Sequence, residues 1–97
     1  KIVVLDNAAL GMVHQQQSLF YGAQHVASQF QRPTDLCALS QAFGVPAIDL
    51  GERVDAREAL QEAFEVPGPC LIRVPLTMQH HVLPMVAVGK ANTEAIE

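Results

Sequence analysis

Apolar and polar positions divide this chain into short segments of clearly different period. Residues 2–5 (Ile2, Val3, Val4, Leu5) are apolar at every position and mostly β-branched, the pattern of a short strand buried on both faces of a parallel sheet. Two polar residues, Asp6 and Asn7, close it. Leu10, Val13, Gln17 and Phe20 then recur at helical spacing and predict a helix over 11–21. Residues 22–33 are mixed, end in a proline and read as a loop with room for a helical turn. Thr34-Asp35 starts a second helix, Leu36, Leu39 and Phe43 line one of its faces, and Gly44 ends it. Residues 47–50 predict a second strand. Asp55 with Glu58 has the spacing of a capping box, opening a third helix with Ala56, Leu60, Ala63 and Phe64 toward the core and Pro67-Gly68-Pro69 as its stop. Residues 70–74 predict a third strand. After Pro75 comes an irregular tail carrying Pro84 and Gly89.

The order is β-α-α-β-α-β and then a tail. Strands alternating with helices predict an α/β fold, a partial doubly wound parallel sheet with flanking helices and right-handed crossovers. The expected organisation is one domain segment over 1–76 and a C-terminal tail over 77–97. Three short strands make a thin sheet. With a start at Lys1 rather than Met, the expectation is a fragment whose missing sheet lies upstream.

Composition changes this picture little. The chain has 97 residues, 49% hydrophobic and 16% charged, a globular balance well away from disorder. A domain this small buries roughly 60–65% of its unfolded surface, enough for one modest core. The net charge is −4 with six Lys and Arg, and no basic stripe suggests a nucleic-acid partner. No apolar run approaches the ~18 residues of a membrane span, and no signal peptide is expected. Cys37 and Cys70 form no CxxC and no metal spacing. Both sit among apolar neighbours and are expected to be buried, reduced thiols, which suits a cytoplasmic location.

Candidate chemistry concentrates at the end of the first strand. In open α/β sheets, ligands bind beyond the carboxyl ends of the strands, where Asp6 and Asn7 lie. An Asn oxygen and loop carbonyls suit Mg²⁺, which shares its oxygen ligands with phosphates. Gly11 lets backbone approach a ligand at a helix start, where free N–H groups favour phosphate. The plainer alternative is a turn that caps a helix. Met12 follows Gly11 at this place, and Gln16 lies about a turn further on. His14 with Ser18 has the spacing of a base and a nucleophile, but no acid partner is apparent, and a solvated helix face is the simpler reading. His80-His81 resembles a metal pair, yet neighbours in extended chain point to opposite sides. His25 carries no partner pattern. Met78 and Met85 read as gap fillers, and Phe20 and Tyr21 as packing groups.

Residues 5–21, LDNAALGMVHQQQSLFY, resemble the segment of acetohydroxyacid synthase (acetolactate synthase) large subunits that closes the thiamin diphosphate motif, which begins with Gly-Asp-Gly and ends in an Asn pair or Asp-Asn. VLPMVAVGKANTEAI resembles the C-terminal tail of the same family, and DLCALSQAFGVPA and PGPCLIRVPL fall between them in the right order. The HQQQSLFY run is most similar to the enterobacterial isozyme I type. The resemblance implies the C-terminal half of a thiamin diphosphate-binding domain. In it Asn7 gives its side-chain oxygen and Ala9 its backbone carbonyl to Mg²⁺, Gly11 and Met12 contact the cofactor, and Val13 and Gln16 face the substrate. No proton-transferring residue is identified in this segment. The implied activity condenses pyruvate with a second 2-ketoacid, by decarboxylation and then carboligation, in branched-chain amino acid biosynthesis. FAD is implied for the full-length family, with its site elsewhere. The implied partners are 2-ketoacids, other large subunits in a homodimer or higher oligomer, and a small regulatory subunit.

The chain also departs from the family pattern. Ala9 stands where an acidic or amide side chain is common, which a backbone ligand tolerates. Gln16 replaces a usual Trp, and Ala87-Val88 replaces Pro-Pro. Two readings compete with this one. The first is another thiamin diphosphate enzyme, such as an oxidase, a carboligase or a 2-ketoacid decarboxylase. The second is a non-catalytic α/β interaction module. The Gly-Asp-Gly half of the motif and the glutamate that activates the thiamin ring are absent from these 97 residues. The isolated chain is therefore expected to be inactive and to bind thiamin diphosphate weakly or not at all. Calorimetric titration with and without Mg²⁺ checks this, and tight Mg²⁺-dependent binding would overturn it.

Overall fold

A computed structural model describes residues 1–77 and 81–97. The chain forms two compact units, one of Lys1–Asn7 with Arg32–Leu76 and the other of Ala8–Gln31 with Thr77–Glu97.

The first unit holds the sheet. Strands β1 (Ile2–Asp6), β2 (Ala47–Asp49) and β3 (Leu71–Pro75) form a three-stranded sheet in the order β1-β3-β2, with both pairings parallel. The expected α/β class and element order are therefore present, with strand ends within a residue of those expected. The last strand in sequence lies in the middle. Its register sets Val4 and Asp49 on either side of Arg73, and Val3 and Ile48 on either side of Ile72. Alternation then gives the sheet two distinct faces. Ile72, Val74 and Ile48 point to one face, where fully buried Ala63, Cys70 and Ile72 form the core cluster. Leu71 and Ile2 point to the other, against Leu36 and Leu39.

Each face has its helix. Helix α2 (Leu36–Ala42) starts where Asp35 accepts the Ala38 N–H at 2.9 Å. It ends in a Schellman turn: Val45 N donates to Ser40 O at 3.0 Å, Gly44 N donates to Gln41 O at 2.9 Å, and Gly44 sits at φ 72°. Helix α3 (Ala56–Glu65) starts at Asp55, whose carboxylate accepts the N–H groups of Arg57 and Glu58. The Lys1 ammonium closes its far end on the Val66 and Gly68 carbonyls.

Three expectations of burial are corrected. In this chain strand β1 is not buried on both sides: Ile2, Val3 and Leu5 are 51%, 52% and 65% exposed, and among the described strands β1 pairs with β3 alone, at the edge of the sheet. In α3 the buried positions are Ala59 and Ala63 with Leu60 half-buried, while Phe64 and Ala56 face out. The core face is centred on Ala59 and Ala63, with Ala63 packed in the cluster of Ile72, and the helical period turns Phe64 about 100° away from Ala63. On α2 the Leu36, Leu39 and Phe43 face forms an open apolar groove with Ile2, Val45 and Leu71 rather than a closed core, and Phe43 is 80% exposed.

The carboxyl end of the sheet is fastened by one cation. Arg73 Nε donates to Asp6 Oδ2 and its Nη1 to Asp49 Oδ2, each at 2.7 Å. The hydrogen bond to Asp6, then that to Asp49, raises the guanidinium pKa further above its already high value. Asp49 also accepts the Gly51 N–H at 2.8 Å, turning the chain into a 3-10 helix over Leu50–Glu52. A Cβ added at Gly51 would meet Pro75 Cγ at 2.9 Å, so this turn fits closely under the end of β3.

The second unit is built on helix α1 (Gly11–Phe20) and the C-terminal tail. The tail folds back on itself: Met85 N donates to Ile96 O at 3.0 Å and Ile96 N to Met85 O at 2.8 Å. Within that loop, Glu94 accepts from the Lys90 ammonium and from the Ala91 N–H and closes a 3-10 turn over Asn92–Glu94. The tail expected to be irregular is thus locally ordered. Met78 and His80 lie outside the described residues.

Replacing Arg73 by Met strands two largely buried carboxylates. The expected loss is about 2 kcal/mol, below the roughly 3–5 of a fully buried pair because Arg73 keeps some contact with water. Chemical denaturation measures it, and adding Asp6→Asn and Asp49→Asn to Arg73→Met is expected to restore most of the loss.

Candidate functional site

Strand β1 delivers its last residue, Asp6, to Arg73, so the point where the chain leaves the sheet is fixed by charge as well as by the ladder. Asp6 O also accepts from Leu76 N at 2.8 Å. Asn7 follows directly and is half-buried at the end of the first unit.

In the second unit the chain turns at once. Ala8 has φ 53°, a left-handed conformation that costs a residue with a side chain about 1–2 kcal/mol. It is held there by pairing: Phe30 N donates to Ala8 O at 2.9 Å, Leu10 N donates to Ser28 O at 2.8 Å, and Ala9 bridges Gln29 antiparallel. Helix α1 then begins at Gly11. Its N-cap, Leu10, supplies no side-chain acceptor and its first turn holds no acidic residue, which favours an anion there. Met12, Val13, Gln16 and Phe20 form one exposed stripe along α1, as their spacing of one, three and four residues requires. The structure thus brings Ala9, Gly11, Met12, Val13 and Gln16 onto the start and one side of one helix, while Asn7 belongs to the first unit.

Residues 1–74 match the family model described as thiamine pyrophosphate enzyme, C-terminal TPP binding domain. The chain belongs to this family. It is similar to acetolactate synthase isozyme 1 large subunit of Escherichia coli K12, with 41% identity over 96 residues that cover 99% of this chain and 17% of that protein. Acetolactate synthase large subunit of Pyropia yezoensis is 37% identical over 97 residues, and chloroplastic acetolactate synthase 2 of Nicotiana tabacum is 36% identical over 103; each alignment covers 99% of this chain and 16% of the relative. The chain therefore spans about a sixth of the length of these relatives.

The donor set of this TPP-binding domain suits such a group. An Asn amide and a backbone carbonyl are the hard oxygens Mg²⁺ takes, and an uncapped helix start is a place for phosphate. No cluster of three His, Cys, Asp or Glu residues suited to a metal occurs among the described residues. His80, one of the His80-His81 pair, lies outside them.

The sheet unit carries a second recess, about 450 Å³, lined by Asp6, Asp35, Cys37, Asp49, Glu52 and Arg73 among others. Asp35 caps α2, and Asp49 and Asp6 hold Arg73, so three of its carboxylates have structural work. Cys37 is not in the apolar surroundings expected for it. Partial burial, then Asp49 and Asp35, push its thiol pKa up, so it stays protonated and weakly nucleophilic. Cys70 is fully buried, and both cysteines are free.

His25 is corrected most. It has partners: its ring stacks on His14 with centroids 3.8 Å apart at 10°, and its Nε2 lies 2.9 Å from Ser18 Oγ. Ser18 donates to the His14 carbonyl at 3.0 Å, so its hydroxyl serves the helix backbone. The sequence offered no sign of this, because His25 reaches α1 through a loop bent at Gly22, Ala23 and Ala27, all at positive φ. Gln15 and Ser28 were also missed. Both are polar and buried, and the Ser28 hydroxyl has no hydrogen-bond partner among the described residues.

Desolvation, then the like charges of His25 and His81, lower the His14 pKa below 6.5. A depressed folded value means that the folded state favours the neutral ring. The stacked loop is therefore held fully above about pH 6.5 and loses stability as pH falls through the lower folded value. Proton NMR titration is expected to place the His14 midpoint below 6.5 and to move it upward in His25→Ala.

Proposed function

We propose that this chain is the closing segment of the thiamin diphosphate-binding domain in an acetolactate synthase large subunit. The observation that carries this reading is similarity to acetolactate synthases along 99% of the chain, with the N-terminal end of α1 and its exposed stripe falling on the motif residues. In this reading residues 1–76 are the domain segment and 77–97 its tail.

Asn7 Oδ1 and the Ala9 carbonyl hold Mg²⁺. The first-turn amides of α1, from Gly11 on, receive the diphosphate, and Met12 packs on the rings. When bound, thiamin diphosphate supplies the carbon nucleophile that pyruvate chemistry needs. The chain's own part is to anchor, orient and exclude water. Val13 and Gln16 line the space for the second 2-ketoacid, where Gln16 presents a polar amide to its carboxylate or carbonyl. FAD bound elsewhere, association of large subunits, a small regulatory subunit and a cytoplasmic location complete the proposal.

The test is acetolactate formation from pyruvate by the full-length protein and its Asn7→Ala variant. Loss of one metal ligand is expected to weaken cofactor retention about 10–100-fold, with partial recovery at high Mg²⁺. Pyruvate consumption without acetolactate would replace the synthase with another thiamin diphosphate enzyme. No turnover by a folded parent would favour a non-catalytic module.

A further inference from the structure

Among the described residues of α1, Gln15 is the one buried residue, at 3% exposure. Its side-chain amide is satisfied at both ends by the backbone of one residue of the tail. Nε2 donates to Val82 O at 2.9 Å, and Oε1 accepts from Val82 N at 2.8 Å. A third contact runs from Nε2 to the Met85 sulfur at 3.4 Å. A carboxamide bonded to the N–H and C=O of one residue copies the pairing of a neighbouring strand. Met85 is also the residue that closes the tail on Ile96. The amide therefore touches the tail where that loop is itself fastened.

Position explains why this matters. Gln15 lies on α1 beside the exposed stripe of Met12, Val13 and Gln16 rather than within it. It leaves that stripe free while fixing the neighbouring side of the helix. The His14–His25 stack grips α1 next to it through the loop. Helix α1 is thus held from two sides, and its third side carries the residues proposed to meet cofactor and substrate.

We propose that Gln15 is a positioning residue: it latches the C-terminal tail onto α1 by reading the backbone of Val82, and so fixes the helix face that carries Met12, Val13 and Gln16. The latch rests on geometry alone. Its effect on substrate binding rests on the proposed synthase function.

Gln15→Glu and Gln15→Met in the full-length protein test it. Glu keeps the shape and the acceptor but loses the donor until it is protonated. Met keeps the length and loses both. Amide hydrogen exchange of the 81–97 segment, corrected for intrinsic rates, is compared at about pH 8 and about pH 5.5. The wild type measured at both values serves as the control for every pH effect other than that of the substituted side chain. Both variants are expected to exchange the tail about tenfold faster at the higher pH. At the lower pH the Glu variant recovers to within about threefold of wild type, since the protonated acid donates to Val82 O, and the Met variant does not. In parallel, KM for the second 2-ketoacid rises in Gln15→Met while kcat changes by less than about threefold. Unchanged tail exchange, or a Glu effect that pH does not reverse, would overturn the latch. Faster exchange with unchanged KM would overturn its positioning role. If the parent makes no acetolactate, the synthase reading fails, and the exchange data still decide the latch.

Discussion

Arg73 grips the carboxyl ends of both outer strands, and the rest of the sheet unit is arranged around that grip. It sits on the central strand, with Asp6 closing β1 on one side and Asp49 closing β2 on the other. Three short strands offer few ladder bonds, and β1 is largely exposed. A single guanidinium therefore fixes the carboxyl end of the sheet, from which the chain continues to Asn7. Its fork geometry suits this: two nitrogens reach two carboxylates at 2.7 Å, which a lysine's point charge would not do as well.

The second unit solves a different problem. A ten-residue helix with no capping side chain and a mostly exposed apolar stripe is poorly stabilised by itself. It is held instead by polar contacts on its flanks, through Gln15 to the tail and through His14 and Ser18 to His25. Met12, Val13 and Gln16 stay uncovered in this chain, as the proposed binding face requires.

Much of this was legible in the sequence, because the signals were local. Asp35 and Asp55 are caps, Gly44 supplies a positive φ, and apolar runs mark the parallel strands; each acts within a few residues. Family membership was legible from residues 5–21 for the same reason. Exposure of β1 was not, since a buried-looking run does not reveal which strand ends up at the edge. The core face of α3 was misjudged by part of a turn: Ala59 and Ala63 with Leu60 face the core rather than Ala56 and Phe64, and small apolar residues give a weak periodic signal. Gln15 and Arg73 escaped because each reaches a partner 67 residues away, and no periodicity encodes a contact of that kind; His25 escaped because the irregular loop that carries it back onto His14 and Ser18 has no period to read.

The central claim is that the end of β1 and the start of α1 anchor a metal-bound diphosphate. A crystal structure of the full-length protein with Mg²⁺ and thiamin diphosphate tests it most directly. The account predicts Asn7 Oδ1 and the Ala9 carbonyl at about 2.0–2.1 Å from the ion, with the diphosphate against the first turn of α1. A metal held by other residues, with Asn7 and Ala9 out of reach, would contradict it.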